Sequence, residues 1–172
     1  ATVSLRYFNV FGPRQSLESQ YAVVVPKFIT CLLSNKPTPI NGRGYQSRDF
    51  TYIDNVVEAN LLAAKAKNIS GEIFNIAGGN AYTVHQLAKT LNKIMGKNIK
   101  PIFLPPRPGD VLHTLADITK AKKLLKFTVK VNFEEGLKTT VNGSQAKKNS
   151  INYRRGRIYR LASVRFADRE RL

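Results

Sequence analysis

The chain has 172 residues, of which 42% are hydrophobic, and its formal net charge is +17. This length is enough for one hydrophobic core, and no apolar run reaches the roughly 20 residues that a membrane-spanning helix needs. The single cysteine, Cys31, excludes an internal disulfide framework and indicates a reducing compartment, so we expect a cytoplasmic protein.

Strand and helix patterns alternate in the first third of the chain. Residues 2–11, "TVSLRYFNVF", are rich in β-branched and aromatic types and predict a strand. The segment "AVVVPKFITCLLSN" has apolar residues at helical spacing, with Pro26 in the first turn and Cys31 on the apolar face, where it predicts a core position. A short strand "TPI", a turn "GRG" and a strand "SRDFTYI" complete this part.

The same alternation continues to residue 141. Helices are predicted over "NVVEANLLAAKAK", "VHQLAKTLNKIMG", "ITKAKKLL" and "NFEEGLKTTV", and strands over "EIFNIAG", which Gly78 and Gly79 end, and "IKPIFLP". The pattern predicts an α/β protein. The expected N-caps of the helices that begin with "NVVE", "VHQL" and "ITKA" are Asp54, Thr83 and Asp117. Gly96 is expected to end the second of these helices, and Val57, Leu61 and Ala64 are expected to form the apolar stripe of the first.

The last part of the chain differs in composition. Residues 142–172 hold nine basic and two acidic residues, and their apolar residues keep no clean helical face. We predict a basic, atypical tail that is disordered or non-native. Its run "YRRGRIYR" also fits a nucleic-acid-binding module, because basic residues interleaved with aromatic ones contact phosphates and stack on bases. We keep that class as an alternative, and nucleic acid is not the expected partner.

Two arginines stand out in the folded part. Arg48 lies at a strand start, and Arg107 lies in the loop "LPPRPGD". Guanidinium groups suit bidentate contact with phosphate oxygens, so two arginines from separate loops can hold a pyrophosphate from both sides. Asp110 can then accept hydrogen bonds from a ribose diol. The alternative is an ion pair between Arg107 and Asp110 across their own turn.

Longer blocks carry a family resemblance. The segments "LRYFNVFGPRQ", "YAVVVPKFI", "INGRGYQSRDFTYIDNVVEANLLA", "IFNIAGG", "RPGDVLHTLADITKAKKLL" and "FEEGL" resemble the C-terminal half of the extended short-chain dehydrogenase/reductase family. The resemblance is to nucleotide-sugar epimerases and dehydratases of the UDP-glucose 4-epimerase type. It implies that residues 1–141 form the C-terminal part of a Rossmann-type fold, with the last sheet strands and a small substrate-binding α/β domain.

The resemblance also implies site residues, NAD as cofactor in the intact enzyme, a UDP-sugar as substrate and homodimers in intact members. The implied contacts follow the order of the ligand from nicotinamide to base. They are Tyr7, Phe8 and Asn9 beside the nicotinamide, with Asn9 also donating to the substrate; Val24 and Val25 beside the substrate; Arg48 and Arg107 on the pyrophosphate; Asp110 on the ribose; and Pro39, Ile40 and Asn41 at the base.

Several departures from the family pattern limit the activity that the resemblance implies. The chain has no Gly-rich dinucleotide turn, and none of its seven tyrosines is followed four residues later by lysine. We therefore expect that the chain lacks the NAD-binding half, and no catalytic residue is assigned. Smaller departures are Arg43 in place of an acid, Leu112 in place of an arginine and Lys126 in place of a helix-ending glycine.

Neither histidine predicts a metal site or a general base. His85 reads as a surface residue of a helix and His113 as a structural residue of a loop. Two histidines and one cysteine without ligand spacing predict no metal site.

Our hypothesis is a fragment of a UDP-sugar 4-epimerase, with the sugar, either a hexose or an N-acetylhexosamine, left open. A dehydratase or decarboxylase of the same family is the first alternative and the nucleic-acid-binding module the second. A third is a truncated chain that does not fold stably, because a sheet cut in half exposes a strand edge.

We predict that the purified chain with NAD and a UDP-hexose shows no epimerase turnover, because the tyrosine and lysine that the resemblance requires are missing. A coupled assay for the product sugar nucleotide checks this. Turnover above that of a boiled sample would contradict the prediction.

Overall fold

The computed structural model describes residues 2–16 and 24–146, and the alternation of its elements confirms the α/β class. Residues 142–146, predicted to begin the atypical tail, instead continue a helix, and the tail from residue 147 onward lies outside the described residues, as does the interpretation of its basic run. No helix in the described ranges is long and apolar enough to cross a membrane. The elements are β1 (Ser4–Tyr7), β2 (Val10–Phe11), α1 (Val24–Leu33), β3 (Pro39–Asn41), β4 (Ser47–Asp49), β5 (Thr51–Tyr52), α2 (Ile53–Lys65), β6 (Ile73–Ile76), β7 (Ala81–Thr83), α3 (Val84–Ile94), β8 (Ile102–Leu104), α4 (Thr119–Leu125) and α5 (133–146).

The described strands pair two by two. β1 pairs with β6, β2 with β5 and β3 with β8, all parallel, whereas β4 pairs with β7 in antiparallel fashion. The predicted strand 2–11 is interrupted, because Asn9 has a φ of 36° and leaves the extended conformation. The predicted strand "SRDFTYI" is likewise divided at Phe50, so its two parts join different sheets. The sequence analysis did not predict β7.

Two hydrophobic clusters hold the elements together. The first joins α1, α3 and α5 around aromatic rings, with Phe50 and Phe133 stacked at a centroid distance of 5.4 Å. The second joins α2, β6 and α4, with Phe74 and Phe127 fully buried. The strand β5 belongs to the first cluster through Tyr52, and α2 belongs to the second through Val56. Because β5 and α2 are continuous in the chain, they connect one cluster to the other.

The apolar stripe predicted for α2 is wrong. Val57 and Leu61 are 49% and 51% exposed, and the buried face consists of Asn55, Val56, Ala59 and Ala63. A helix rich in Val, Leu and Ala offers two apolar faces, and packing against β2, β5 and α4 selects one of them.

A buried asparagine in that face has its hydrogen bonds satisfied. The Nδ2 of Asn55 donates to the carbonyl of Val131, and its Oδ1 accepts from the amides of Lys130 and Val131. The polar side chain therefore ties α2 to the segment before α5, which periodicity alone does not reveal.

The predicted ends of α3 are confirmed. Thr83 is the N-cap and accepts from the amide of Gln86, whose side chain accepts from the amide of Thr83 in return. Gly96 follows the last turn with a φ of 61°. The prediction for α1 is confirmed in Pro26, which lies in the first turn, but not in Cys31, which is partly exposed.

Two other predicted caps are wrong. α2 has Tyr52 as its N-cap without a side-chain bond, and Asp54 lies inside the first turn. α4 begins after Ile118, one residue beyond the predicted cap, although Asp117 still accepts from the amide of Thr119. In both cases the strand or loop before the helix, held by tertiary contacts, decides where the helix starts.

The backbone conformation of Lys126 explains why a glycine is expected at this position. It is the C-cap of α4 in the left-handed conformation, with φ 55° and ψ 28°, and its amide donates to the carbonyl of Ala121. A side chain in this conformation carries a steric cost of about 1 kcal/mol that glycine does not have.

We predict that Lys126→Gly raises the free energy of unfolding by about 0.5–1 kcal/mol. The matched control is Lys123→Gly in the interior of the same helix, which should lower the free energy of unfolding by about 1 kcal/mol. Urea titration followed by circular dichroism measures both. Equal destabilisation by the two glycines would contradict the left-handed geometry of Lys126.

Candidate functional site

A pocket of about 270 Å³ opens between α1, the ends of β2 and β3, the strand β4 and the loop before α4. Its floor is apolar and is shared with the first hydrophobic cluster, so the core fixes its shape. Polar and charged side chains surround this floor. The floor comprises Phe11, Val25, Phe28, Phe50 and Val84, and the polar lining comprises Asn9, Lys27, Asn41, Gln46, Arg48, Arg107 and Asp110.

The strand β4 places Arg48 on the pocket. Successive side chains of a strand point to opposite faces, and the neighbours Ser47 and Asp49 are both buried on the other side. The guanidinium of Arg48 is held at both ends: Nη1 donates to the carbonyl of Ser47 at 2.8 Å, and Nη2 contacts Oδ1 of Asp110 at 2.5 Å. Because the Arg48 side chain is only 16% exposed, this ion pair is partly shielded from solvent.

A tight turn brings Asp110 to this arginine. The amide of Asp110 donates to the carbonyl of Arg107 at 3.2 Å, and Gly109 has a φ of 75° that a residue with a side chain rarely adopts. The alternative ion pair between Arg107 and Asp110 is wrong, since Asp110 pairs with Arg48 instead. Arg107 makes no ion pair with any of the described residues.

Buried Asp49 anchors the segments around the pocket. Its carboxylate accepts from the amide of Gly79 at 3.1 Å and from the amide of Ala116 at 3.3 Å. Burial raises the pKa of Asp49 above its usual value, while the backbone N–H groups of Ala116 and Gly79 act in the opposite direction. Gly78 allows the approach, because a Cβ there would lie 2.7 Å from the carbonyl oxygen of Phe50.

The sequence analysis did not single out Asp49. The available signal was the alternation of "SRDFTYI", which places an acid on the same face as Ser47 and opposite Arg48. An acid on the buried face of a strand is a sign that backbone groups from other segments reach it.

His113 is a structural residue of a loop and His85 a surface residue of a helix, as predicted. The Nδ1 of His113 lies 2.9 Å from Oγ of Ser47 and holds the loop against β4, and His85 is exposed in the first turn of α3. Among the residues that the structure describes, no three His, Cys, Asp or Glu side chains form a cluster that could hold a metal ion.

Most of the predicted substrate residues converge on the pocket. Three of the predicted residues, Asn41, Arg107 and Asp110, also line a neighbouring depression of about 360 Å³, to which Arg43 and Tyr45 are added. The predicted residues that line the pocket are Asn9, Val24, Val25, Pro39, Asn41, Arg48, Arg107 and Asp110.

Three predicted residues lie elsewhere. Ile40 is fully buried in the first cluster, so it presents no surface to a ligand. Tyr7 lines a separate groove and donates its hydroxyl to Asn60, and Phe8 packs against the second cluster. The amide of Asn9, which does reach the pocket, donates to the carbonyl of Asp49 at 3.4 Å, so the residue is also part of the local scaffold.

Two polar lining residues were missed by the sequence analysis, Lys27 and Gln46. Lys27 lies one helical turn after Val24, a spacing that could have placed it on the same side of α1. Gln46 donates to the carbonyl of Asn41 at 2.8 Å and so fixes the turn between β3 and β4.

Residues 1–77 match the sequence profile of the NAD dependent epimerase/dehydratase family. The chain is 39% identical over 142 residues to a UDP-glucuronate 4-epimerase of Thermodesulfobacterium geofontis, a match that covers 82% of this chain and 42% of the relative. It is 32% identical over 143 residues to a UDP-N-acetyl-alpha-D-glucosaminuronate decarboxylase of Bacillus cytotoxicus, with 80% and 44% covered.

The fold is similar to solved structures of the same kind. A UDP-glucose 4-epimerase of Thermotoga maritima, crystallised with UDP-glucose, superimposes with a TM-score of 0.79 at 43% identity over 84% of this chain and 46% of that chain. The α/β fold is therefore that of Rossmann-type epimerases. The chain spans less than half the length of these proteins.

The ion pair between Arg48 and Asp110 competes with any anion for the guanidinium. We predict that Asp110→Asn raises the affinity for inorganic pyrophosphate about twofold to fivefold, because a competing negative charge is removed. Isothermal titration calorimetry checks this, with Asp54→Asn on the distant helix α2 as the control. Unchanged or weaker pyrophosphate binding by the Asp110 variant would show that Arg48 does not face the anion.

Proposed function

We propose that the pocket binds a UDP-sugar and that the chain is the substrate-binding half of a UDP-sugar 4-epimerase, because residues 1–77 match the NAD dependent epimerase/dehydratase family. UDP-sugar 4-epimerases and decarboxylases are the relatives to which it is similar.

The observation that supports this most directly is that Arg48 and Arg107, from separate segments, line one pocket together with Asp110. A nucleoside diphosphate sugar carries two negative charges on its pyrophosphate, and guanidinium groups bind such oxygens through paired N–H donors. Arg48 is fixed in a strand and Arg107 in a tight turn, so the cations are in place before the ligand arrives.

The rest of the pocket fits the two ends of such a ligand. Pro39 and Asn41 lie where the pocket continues into the neighbouring depression, which suits a base that needs an apolar face and a polar edge. Asp110 offers a carboxylate oxygen to a ribose hydroxyl while its other oxygen stays on Arg48. Asn9, Val24 and Val25 line the same pocket, and we assign them to the sugar.

The cofactor that the family name implies does not fit the described residues alone. NAD supplies a hydride acceptor when it is bound, and its pyrophosphate needs a Gly-rich turn that leads from a strand into a helix. The turn with Gly78 and Gly79 follows β6 but leads into β7, so it presents no helix N-terminus to a phosphate. We therefore assign no NAD site and no catalytic base to this chain.

An open surface on the second cluster supports the idea of a half enzyme. The amides of Ser4 and Phe8 donate to the carbonyls of Glu72 and Ile76, at the two ends of β6. Alternate amides of a strand point to opposite edges, so those of Leu5 and Tyr7 point to the other edge of β1, which pairs with no described strand. Beside it, Val57 and Leu61 of α2 are half exposed. We propose that the cofactor-binding half covers this edge and this helix face.

A UDP-sugar decarboxylase is the second candidate, favoured by the relative from Bacillus cytotoxicus. Both reactions start from a UDP-sugar held through its diphosphate, so the pocket serves either one. A sugar carboxylate lost as carbon dioxide by the assembled enzyme would identify the decarboxylase.

We predict that calorimetric titration with UDP gives saturable binding, and that Arg48→Ala and Arg107→Ala each weaken it about tenfold or more, since each removes charge-assisted hydrogen bonds. Arg6→Ala, on β1 outside the pocket, is the matched control. A wild-type chain that melts cooperatively but does not bind UDP would overturn the proposed function. A chain without cooperative melting would show that the other half is required for folding.

A further inference from the structure

We propose that Lys27 is a third cation for the diphosphate, acting beside the two arginines. The inference rests on the proposed function and adds to it a residue that neither the sequence pattern nor the family resemblance singled out. The site is the same pocket, so the ligand class is a nucleoside diphosphate.

The helix α1 directs Lys27 into the pocket. Val25, Phe28 and Ile29 are each at most 2% exposed and anchor the helix in the first cluster. Lys27 lies in the first turn, next to the pocket-lining residues Val24 and Phe28, and is itself exposed. Its methylene stem can lie along this apolar floor while the ammonium group stays at the opening.

The distribution of charge around the pocket supports a role for Lys27 in binding the diphosphate. Arg48 is already neutralised by Asp110 and also donates to the carbonyl of Ser47. Lys27 and Arg107 line the same pocket and form no ion pair with any acid among the described residues, so two uncompensated positive charges face it. That number matches the two negative charges on the pyrophosphate of a UDP-sugar.

The chemistry of lysine suits this role. An ammonium group is a compact charge with three donors on a long stem, so it can follow a phosphate whose position changes between substrates. The first turn of α1 contains no acidic residue that would attract the ammonium group away from the pocket.

A different anion is the competing explanation. The relative from Thermodesulfobacterium geofontis is named for a substrate with a sugar carboxylate, which a lysine could also bind. The two cases are separable, because UDP has both phosphates and no carboxylate.

The experiment is calorimetric titration of the full chain with UDP, uridine, UDP-glucose and UDP-glucuronate. The variants are Lys27→Gln, Lys27→Arg and the matched control Lys36→Gln, which removes an exposed lysine just beyond α1 and outside the pocket. We expect Lys27→Gln to weaken UDP and both UDP-sugars equally, by about fivefold to tenfold, since a single partly exposed charge contact is lost. Lys27→Arg and Lys36→Gln should stay within about twofold of the wild-type chain, and the affinity for uridine should not change.

The outcomes separate this inference from the proposed function. UDP binding by the wild-type chain that is unchanged in Lys27→Gln would overturn the role of Lys27 alone and leave the arginine sites standing. A loss confined to UDP-glucuronate would assign Lys27 to the sugar carboxylate and overturn the phosphate contact. A wild-type chain that binds no UDP would overturn the proposed function and this inference with it.

Discussion

The carboxylate of Asp49 is the interaction on which the rest of the site depends. It accepts backbone N–H groups from Gly79 and Ala116, and the carbonyl of the same residue accepts from the side chain of Asn9. One buried residue thus joins β4 to the end of β1, to the turn after β6 and to the segment before α4. The cost of burying a charge is offset by these donors, and because the residue is in a strand, its anchored side chain directs Arg48 to the opposite face.

Electrostatic compensation organises the pocket in the absence of a ligand. The pair between Arg48 and Asp110 adds a second anchor to a guanidinium that also donates to the carbonyl of Ser47, and it holds the turn that begins at Arg107 against β4. Two roles meet in Asp110, since the carboxylate that positions the arginine is also available to a hydroxyl of the ligand. The cations without acidic partners, Arg107 and Lys27, lie at the exposed rim, where an anion would meet them first.

The two hydrophobic clusters differ in how far the described helices and strands cover them. The first cluster is enclosed by three helices and contains stacked rings, such as Tyr82 and Phe133 at 4.1 Å. In the second, β1 has an edge that pairs with no described strand, and α2 has a half-exposed apolar face. This edge and this face are the surface that we propose the cofactor-binding half covers.

The sequence by itself determined the fold class of this protein and where some of its helices begin or end. The alternation of patterns predicted α/β, and "TVHQ" predicted the cap at Thr83, because both depend on residues that are neighbours in the chain. The family resemblance added that a helix-ending glycine is expected where Lys126 has the left-handed conformation. The arginines were found by their chemistry, yet the partner of Asp110 was not, since it comes from 62 residues away. Which face of α2 is buried, where the strands break and that Lys27 lines the pocket were decided only by the tertiary structure, because they depend on which distant segments pack together and not on the periodicity of any one of them.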